Sequence, residues 1–93
     1  MIVNITNTFL ETLAEQVQYI YKDKPKAALK FRKEILKSIK KDLKNPFHFK
    51  TSKYFDSENI RDYVFKGYAC IYEVDLNQKI VHVFGFIKYK DSF

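Results

Sequence analysis

The sequence predicts an α+β domain: an N-terminal strand, a helix hairpin, and then a three-stranded antiparallel meander. Apolar residues recur at steps of three and four between residues 8 and 43, the spacing of one helix face, whereas β-branched and aromatic residues crowd into short runs after residue 60. Asp23-Lys24-Pro25, Lys66-Gly67 and Asp75-Leu76-Asn77-Gln78 punctuate these runs where turns are needed. A length of 93 residues with 46% apolar content suits one compact unit, read as a single domain over residues 1–93, and excludes a disordered chain.

Ile2–Ile5 is a short apolar segment suited to an opening strand. Thr8-Phe9-Leu10-Glu11 has the form of a capping box, in which hydroxyl and carboxylate satisfy reciprocal backbone donors, so the first helix is expected to begin near Thr8. Leu10, Leu13, Ala14, Val17, Ile20 and Tyr21 carry its apolar stripe to about Lys22. Pro25 is tolerated in a first turn, where its missing N–H has no partner to lose, and Ala28, Phe31, Ile35, Ile39 and Leu43 continue a second stripe that ends before Asn45-Pro46. Helices separated by so short a break form an antiparallel hairpin with its lysines outside.

Phe47–Tyr54 is a connection of mixed signals, followed by strands expected at Ile60–Phe65, Tyr68–Val74 and Ile80–Ile87. Strand parity puts Tyr68, Cys70 and Tyr72 on one face and Ala69 and Ile71 on the other, so both faces need cover. The helix hairpin takes one, and a partner is expected on the other. Leu13, Val17, Ile35, Ile39, Ile71 and Val83 are the expected core.

The formal charge is +6, and its location matters more than its size. Residues 22–50 hold eleven Lys or Arg against three acids, so the rest of the chain is slightly acidic. Clustered positive charge of this kind suits a phosphate backbone or an acidic partner, or is a solvated helix face. No apolar run approaches the ~20 residues that span a bilayer, and Met1–Ile5 runs into polar residues rather than a signal-peptide core, so a soluble cytoplasmic protein without membrane association is expected. Cys70 is the sole cysteine, which excludes an internal disulfide or a CxxC metal site and, in an apolar run, reads as an inert buried thiol.

The order of parts resembles the RelE/ParE superfamily of bacterial type II toxin–antitoxin toxins, over nearly the whole chain. "IRDYVFKGYACIYEVD" followed by "KIVHVFGFIKYKD" is similar to the family's arginine, hairpin, Gly-Tyr pair and final strand with polar residues at its tip. "YIYKDKPKAALKFRKEILKSIKKDLKNP" is similar to its helix hairpin. The resemblance implies one of two activities. RelE-like and YafQ-like members cut messenger RNA on the ribosome with the transcript's 2′-hydroxyl as nucleophile, and ParE-like members poison DNA gyrase without being nucleases. It implies an acidic cognate antitoxin in either case, and no metal or cofactor.

By position, the resemblance nominates Arg61 at the start of the hairpin and Lys88 and Tyr89 at the tip of the last strand as catalytic residues, with Lys50 and Lys53 as supplementary phosphate-binding groups. Arg61 stabilises phosphate charge in this reading, Lys88 acts in proton transfer or charge stabilisation, and Tyr89 orients the substrate by stacking. Ala69 stands where many relatives carry an arginine, and Lys88-Tyr89 replaces a histidine region in the ending "GFIKYKDSF".

Each residue also has a plainer role to weigh. Arg61 can pair with Asp62 or Glu58, an exposed interaction worth only ~0–1 kcal/mol. Lys88, flanked by Ile87 and Tyr89, needs partial burial for a lowered pKa. His82 between Val81 and Val83 reads as a hydrogen-bonded packing residue, and His48 beside two phenylalanines makes no stronger claim. A pure nucleic-acid-binding module has no helix-turn-helix, RNP or zinc spacing to support it, and a membrane-surface helix over Lys24–Lys44 ranks below the toxin readings. The antitoxin is expected to wrap from the basic hairpin onto an aromatic sheet face bearing Tyr68 and Tyr72.

Overall fold

A computed structural model describes residues 1–89. It contains β1 (Ile2–Ile5), α1 (Asn7–Tyr21), α2 (Pro25–Asp42), a 3₁₀ turn (Pro46–His48), β2 (Ile60–Phe65), β3 (Tyr68–Asp75) and β4 (Ile80–Lys88). The sheet order is β1-β4-β3-β2; β2, β3 and β4 pair antiparallel, and β1 joins the outside edge parallel to β4. The α+β expectation therefore holds, with the meander where the strand-like runs placed it.

The first helix starts earlier than the capping-box pattern suggests. Thr6 is the N-cap: its hydroxyl accepts from the Phe9 N–H at 3.2 Å and donates to the Val83 carbonyl at 3.0 Å. The Thr6 N–H also pairs with Val83, so the last rung of the β1–β4 ladder places the cap. Thr8 lies inside α1, where its carbonyl accepts from the Thr12 hydroxyl. A long-range strand pairing thus overrides the local signal.

Turn chemistry explains the hairpins. Lys66 and Gly67 both adopt positive φ, at 47° and 85°, the requirement of a two-residue turn whose twist matches its strands. At the β3–β4 turn the Asp75 carboxylate accepts from the Asn77 and Gln78 N–H groups, each at 3.0 Å.

The helices cover one sheet face. Phe9, Leu13 and Val17 of α1 and Ala28, Phe31, Ile35 and Ile39 of α2 pack against Tyr63, Cys70, Tyr72, Val74, Val81, Val83 and Phe86. Phe9 meets Phe86 edge-on at 5.5 Å between ring centroids, and Phe31 meets Tyr68 at 5.3 Å. Burial of one such side chain stabilises by about 1.5–3 kcal/mol, so truncating Ile35 or Ile39 would cost about 2–5 kcal/mol. All six expected core residues are buried, five in this cluster and Ile71 on the opposite face.

Tyr68 and Tyr72 correct an expectation. They do not form an open aromatic face for a partner: Tyr72 is fully buried beneath the helices, its hydroxyl donating to the Pro46 carbonyl, and Tyr68 is half-buried with its ring stacked on Phe86. Parity placed them correctly together, but theirs is the face the hairpin occupies.

The other face is sheltered partly by the chain itself. Thr51 bridges to Arg61, the Ser52 N–H donates to Ile60 at 2.8 Å, and the Asp62 N–H donates to Lys50 at 3.3 Å, so residues 50–52 extend the edge beside β2. Phe55 then reaches Phe84, edge-on at 5.7 Å. Ala69 and Ile71 are buried on this side, and Gly85 lets Ile71 lie close, because a Cβ on Gly85 would stand 3.1 Å from that of Ile71. A register shift between Ile71 and Tyr72 accommodates Phe84 in β4. We call this second surface the outer face.

Candidate functional site at the outer face of the sheet

The segment between the 3₁₀ turn and β2 delivers polar and aromatic groups to the outer face. Ser52 is buried, and its hydroxyl accepts from the Tyr54 N–H at 3.1 Å, which sharpens the turn there. The Lys53 N–H donates to Asp62 Oδ2 at 3.0 Å. Asp62 Oδ1 is buried without a hydrogen-bond partner. This carboxylate fixes the backbone of Lys53 against β2.

Held in this way, the Lys53 ammonium lies 4.1 Å from the centroid of the Tyr89 ring and 5.5 Å from that of Tyr54. A cation over an aromatic face is attracted by the ring quadrupole, contributing about 0.5–1 kcal/mol at exposed sites. Tyr89 is anchored by its own N–H, which donates to the Gly67 carbonyl at 2.9 Å and carries the β3–β4 pairing past the end of β4. The β2–β3 turn, the end of β4 and the loop before β2 therefore converge. An ammonium beside two phenol rings offers charge to a phosphate and π-faces to bases.

The structure separates the other nominated residues from this pair. Lys88 stands opposite Tyr68 in the β3–β4 register, exposed, and lines a cavity of about 250 Å³ with Glu15, Gln16 and Tyr19 of α1. Its neighbour Tyr89 contacts Lys53 instead, so consecutive residues diverge to opposite sides of the sheet. Lys88 is exposed rather than desolvated between Ile87 and Tyr89.

Arg61 is engaged by backbone. Its guanidinium donates to the Phe49 carbonyl and, through Nε at 3.2 Å, to the Glu58 carbonyl, and it lies over the Phe47 ring at 4.8 Å. The alternative pairing with the Asp62 or Glu58 carboxylates gives way to carbonyls at the two ends of the loop. Lys50 is exposed, and its carbonyl holds the Asp62 N–H.

Other ionisable groups sit in structural surroundings. Burial pushes the Cys70 thiol up to about 12, leaving it protonated and unreactive at neutral pH. Burial, followed by a hydrogen bond to Asp42, raises Tyr63, and burial also raises Tyr72 and Tyr68. His82 Nδ1 lies 3.1 Å from Asn4 Nδ2 across the β1–β4 pairing, and His48 packs edge-on to Phe49. Among the described residues no three His, Cys, Asp or Glu side chains are grouped to hold a metal, and no helix is long and apolar enough to cross a membrane.

Sequence reasoning nominated Lys53 and Tyr89 separately but missed Tyr54, and it weighed Asp62 only as a partner for Arg61. The available signal for Asp62 was its strand parity with Ile60 and Val64, on the side opposite to Tyr63. A carboxylate on a sheet face needs a donor, and the loop preceding β2 supplies one.

Residues 3–93 match the family model described as ParE toxin of type II toxin-antitoxin system, parDE. No curated protein matches the chain.

Proposed function

The chain belongs to the ParE toxin family of type II toxin–antitoxin systems, and we propose that it inhibits growth as a ribosome-dependent, metal-independent mRNA endonuclease acting through its outer sheet face. Membership of this family implies a cognate antitoxin. The observation that supports the nuclease reading is the Lys53 ammonium 4.1 Å from the Tyr89 ring, with Tyr54 beside it. Single-stranded RNA presents the two complementary features, a charged backbone and unstacked bases.

In this reading the 2′-oxygen of the transcript attacks the adjacent phosphorus as it gives up its proton to water, closing a 2′,3′-cyclic phosphate. The bond from phosphorus to the 5′-oxygen breaks, and that oxygen takes a proton from water. Lys53 stabilises charge on the crowded phosphorane, and Tyr89 and Tyr54 orient flanking bases by stacking. Lys50 is a further phosphate contact on the same segment. Lys88, exposed on the helix side of the strand tip, adds positive charge there and takes no part in the outer-face step. Arg61 acts as a positioning residue, holding the loop that carries Lys53 rather than the phosphate.

Gyrase poisoning is the second reading, favoured by the ParE description of the matched family and by the divergence of Lys88 from Tyr89. Induction in a bacterial host separates the two. Cleaved messages with intact chromosomes are expected; double-strand DNA breaks with intact messages would replace the nuclease by gyrase as the target.

A further inference from the structure

Helix α2 confines its lysines to one side. Lys26, Lys30, Lys33, Lys37, Lys40 and Lys41 are all exposed, and at 3.6 residues per turn they fall within an arc of about 100° that contains no other residue of the helix. Ala28, Phe31, Ile35 and Ile39, the buried residues, occupy the opposite side. The stripe runs for about 22 Å at 1.5 Å per residue.

Neither acid of α2 lies in the stripe, and both have other partners. Glu34 bonds Lys66 at 2.6 Å, the one salt bridge among the described residues, and Asp42 accepts from the Tyr63 hydroxyl. The Glu34 carboxyl is held below its usual value chiefly by that hydrogen bond, with Lys30 a lesser influence.

This arrangement works against the helix. Lys26–Lys30, Lys33–Lys37 and Lys37–Lys41 are four residues apart, and Lys30–Lys33 and Lys37–Lys40 three apart, so like charges face each other along the stripe. Lys26 also lies in the first turn, at the positive end of the helix dipole, where there is no acidic residue. Solubility alone is served as well by interspersed charges of both signs. An external polyanion would relieve the repulsion.

Two classes of polyanion are available, and the stripe favours one. Protein partners gain most of their affinity from buried aromatic and apolar anchors, and the arc contains none. A nucleic-acid backbone needs only spaced cations, and 22 Å corresponds to roughly two thirds of a duplex turn. We propose that the α2 lysine stripe is a docking track for the phosphate backbone of a nucleic acid, read without regard to base sequence. It lies on the helix layer, across the sheet from the outer face, so it does not depend on whether that face cuts RNA.

The test is binding of the purified full chain to a short RNA duplex and a short DNA duplex, measured between about 50 and 200 mM salt. Two charge-matched double variants are compared with the parent: Lys37→Gln/Lys41→Gln in the stripe, and Lys22→Gln/Lys79→Asn away from it. The stripe variant should bind at least about fivefold more weakly at 0.1 M salt and reduce the slope of log K against log salt by roughly 2 for DNA, while the control pair changes affinity less than about twofold. Its melting temperature should stay within a few degrees of the parent's, because the relieved repulsion offsets the loss of Lys41 from the last turn, where a cation suits the helix dipole. Preference for one duplex over the other would identify the source of the phosphate. Equal losses from both variants would reduce the effect to net charge and overturn the proposal. So would failure of the parent to bind either duplex at 0.1 M salt while binding poly-glutamate, which would assign the stripe to an acidic protein.

Discussion

The Arg61 guanidinium donates to the Phe49 carbonyl, twelve residues earlier in the chain, while its Nε holds the Glu58 carbonyl at 3.2 Å. One side chain on an edge strand thereby ties both ends of the loop that carries Lys53. Arg61→Ala should lower stability by about 1–3 kcal/mol, because the part-buried Phe49 carbonyl loses its donor and the exposed Glu58 carbonyl loses its tie to β2. Arg61→Lys should recover less than half of that, since an ammonium cannot reproduce the planar fork. Denaturant midpoints measure both; parent-like stability of the alanine variant would show that the loop holds without Arg61.

Lys53→Ala and Tyr89→Leu should each weaken toxicity without lowering the melting temperature by more than a few degrees. Loss of one stacked base costs about 1–3 kcal/mol, which corresponds to a roughly 5- to 150-fold loss in the rate of message cleavage. Tyr89→Phe should retain most of the activity, because stacking uses the ring and not the hydroxyl. Growth curves at matched expression, together with transcript mapping, report the result. A Tyr89→Phe variant as inactive as Tyr89→Leu would assign the phenol oxygen to the chemistry.

Alkaline pH should destabilise the fold. Burial raises Cys70 from 9.0 to about 12, so the folded state holds its proton more tightly than the unfolded chain. That contribution is complete below pH 9 and is lost as pH rises toward 12, and the raised phenols of Tyr63 and Tyr72 act in the same direction above their ordinary value of 10.0. Melting temperature should therefore be insensitive to these groups between pH 7 and about 9 and fall above it. In the native protein at pH 8 a thiol reagent should label Cys70 only after unfolding; labelling at the rate of a free cysteine would contradict its burial.

Association with the cognate antitoxin should slow steeply with added salt while dissociation changes little, since opposite charge steers encounter and apolar anchors set the residence time. With Tyr72 buried and Tyr68 half-buried, the anchoring role falls to Tyr19 of α1, at 72% exposure. Tyr19→Ala should raise the dissociation rate and leave the salt dependence of association intact. Stopped-flow measurement distinguishes the two effects, and an association rate indifferent to salt would exclude electrostatic steering.

Periodicity made much of this legible. Leu13, Val17, Ile35 and Ile39 are core because a helix returns the same face every three or four residues, and Tyr68, Cys70 and Tyr72 share a face because a strand alternates. The helix start at Asn7 was less legible, because Thr6 gains its place from Val83, far along the chain. The site was least legible. Lys53 and Tyr89 are 36 positions apart and meet through Asp62 and Gly67, neither of which signals that role by its neighbours.

The sequence by itself determined the order of strand, two helices and three strands, the apolar stripes, the buried thiol and the lysines of the second helix. All of these follow from local spacing and side-chain chemistry. Only the tertiary structure decided that the opening strand lies parallel at the edge beside β4, that the helices cover the face of Tyr72 rather than that of Ile71, and that Lys88 and Tyr89 diverge. A pattern of burial specifies which residues share a face, but two sheet faces that both carry apolar residues are distinguished only by the long-range contacts that choose one of them.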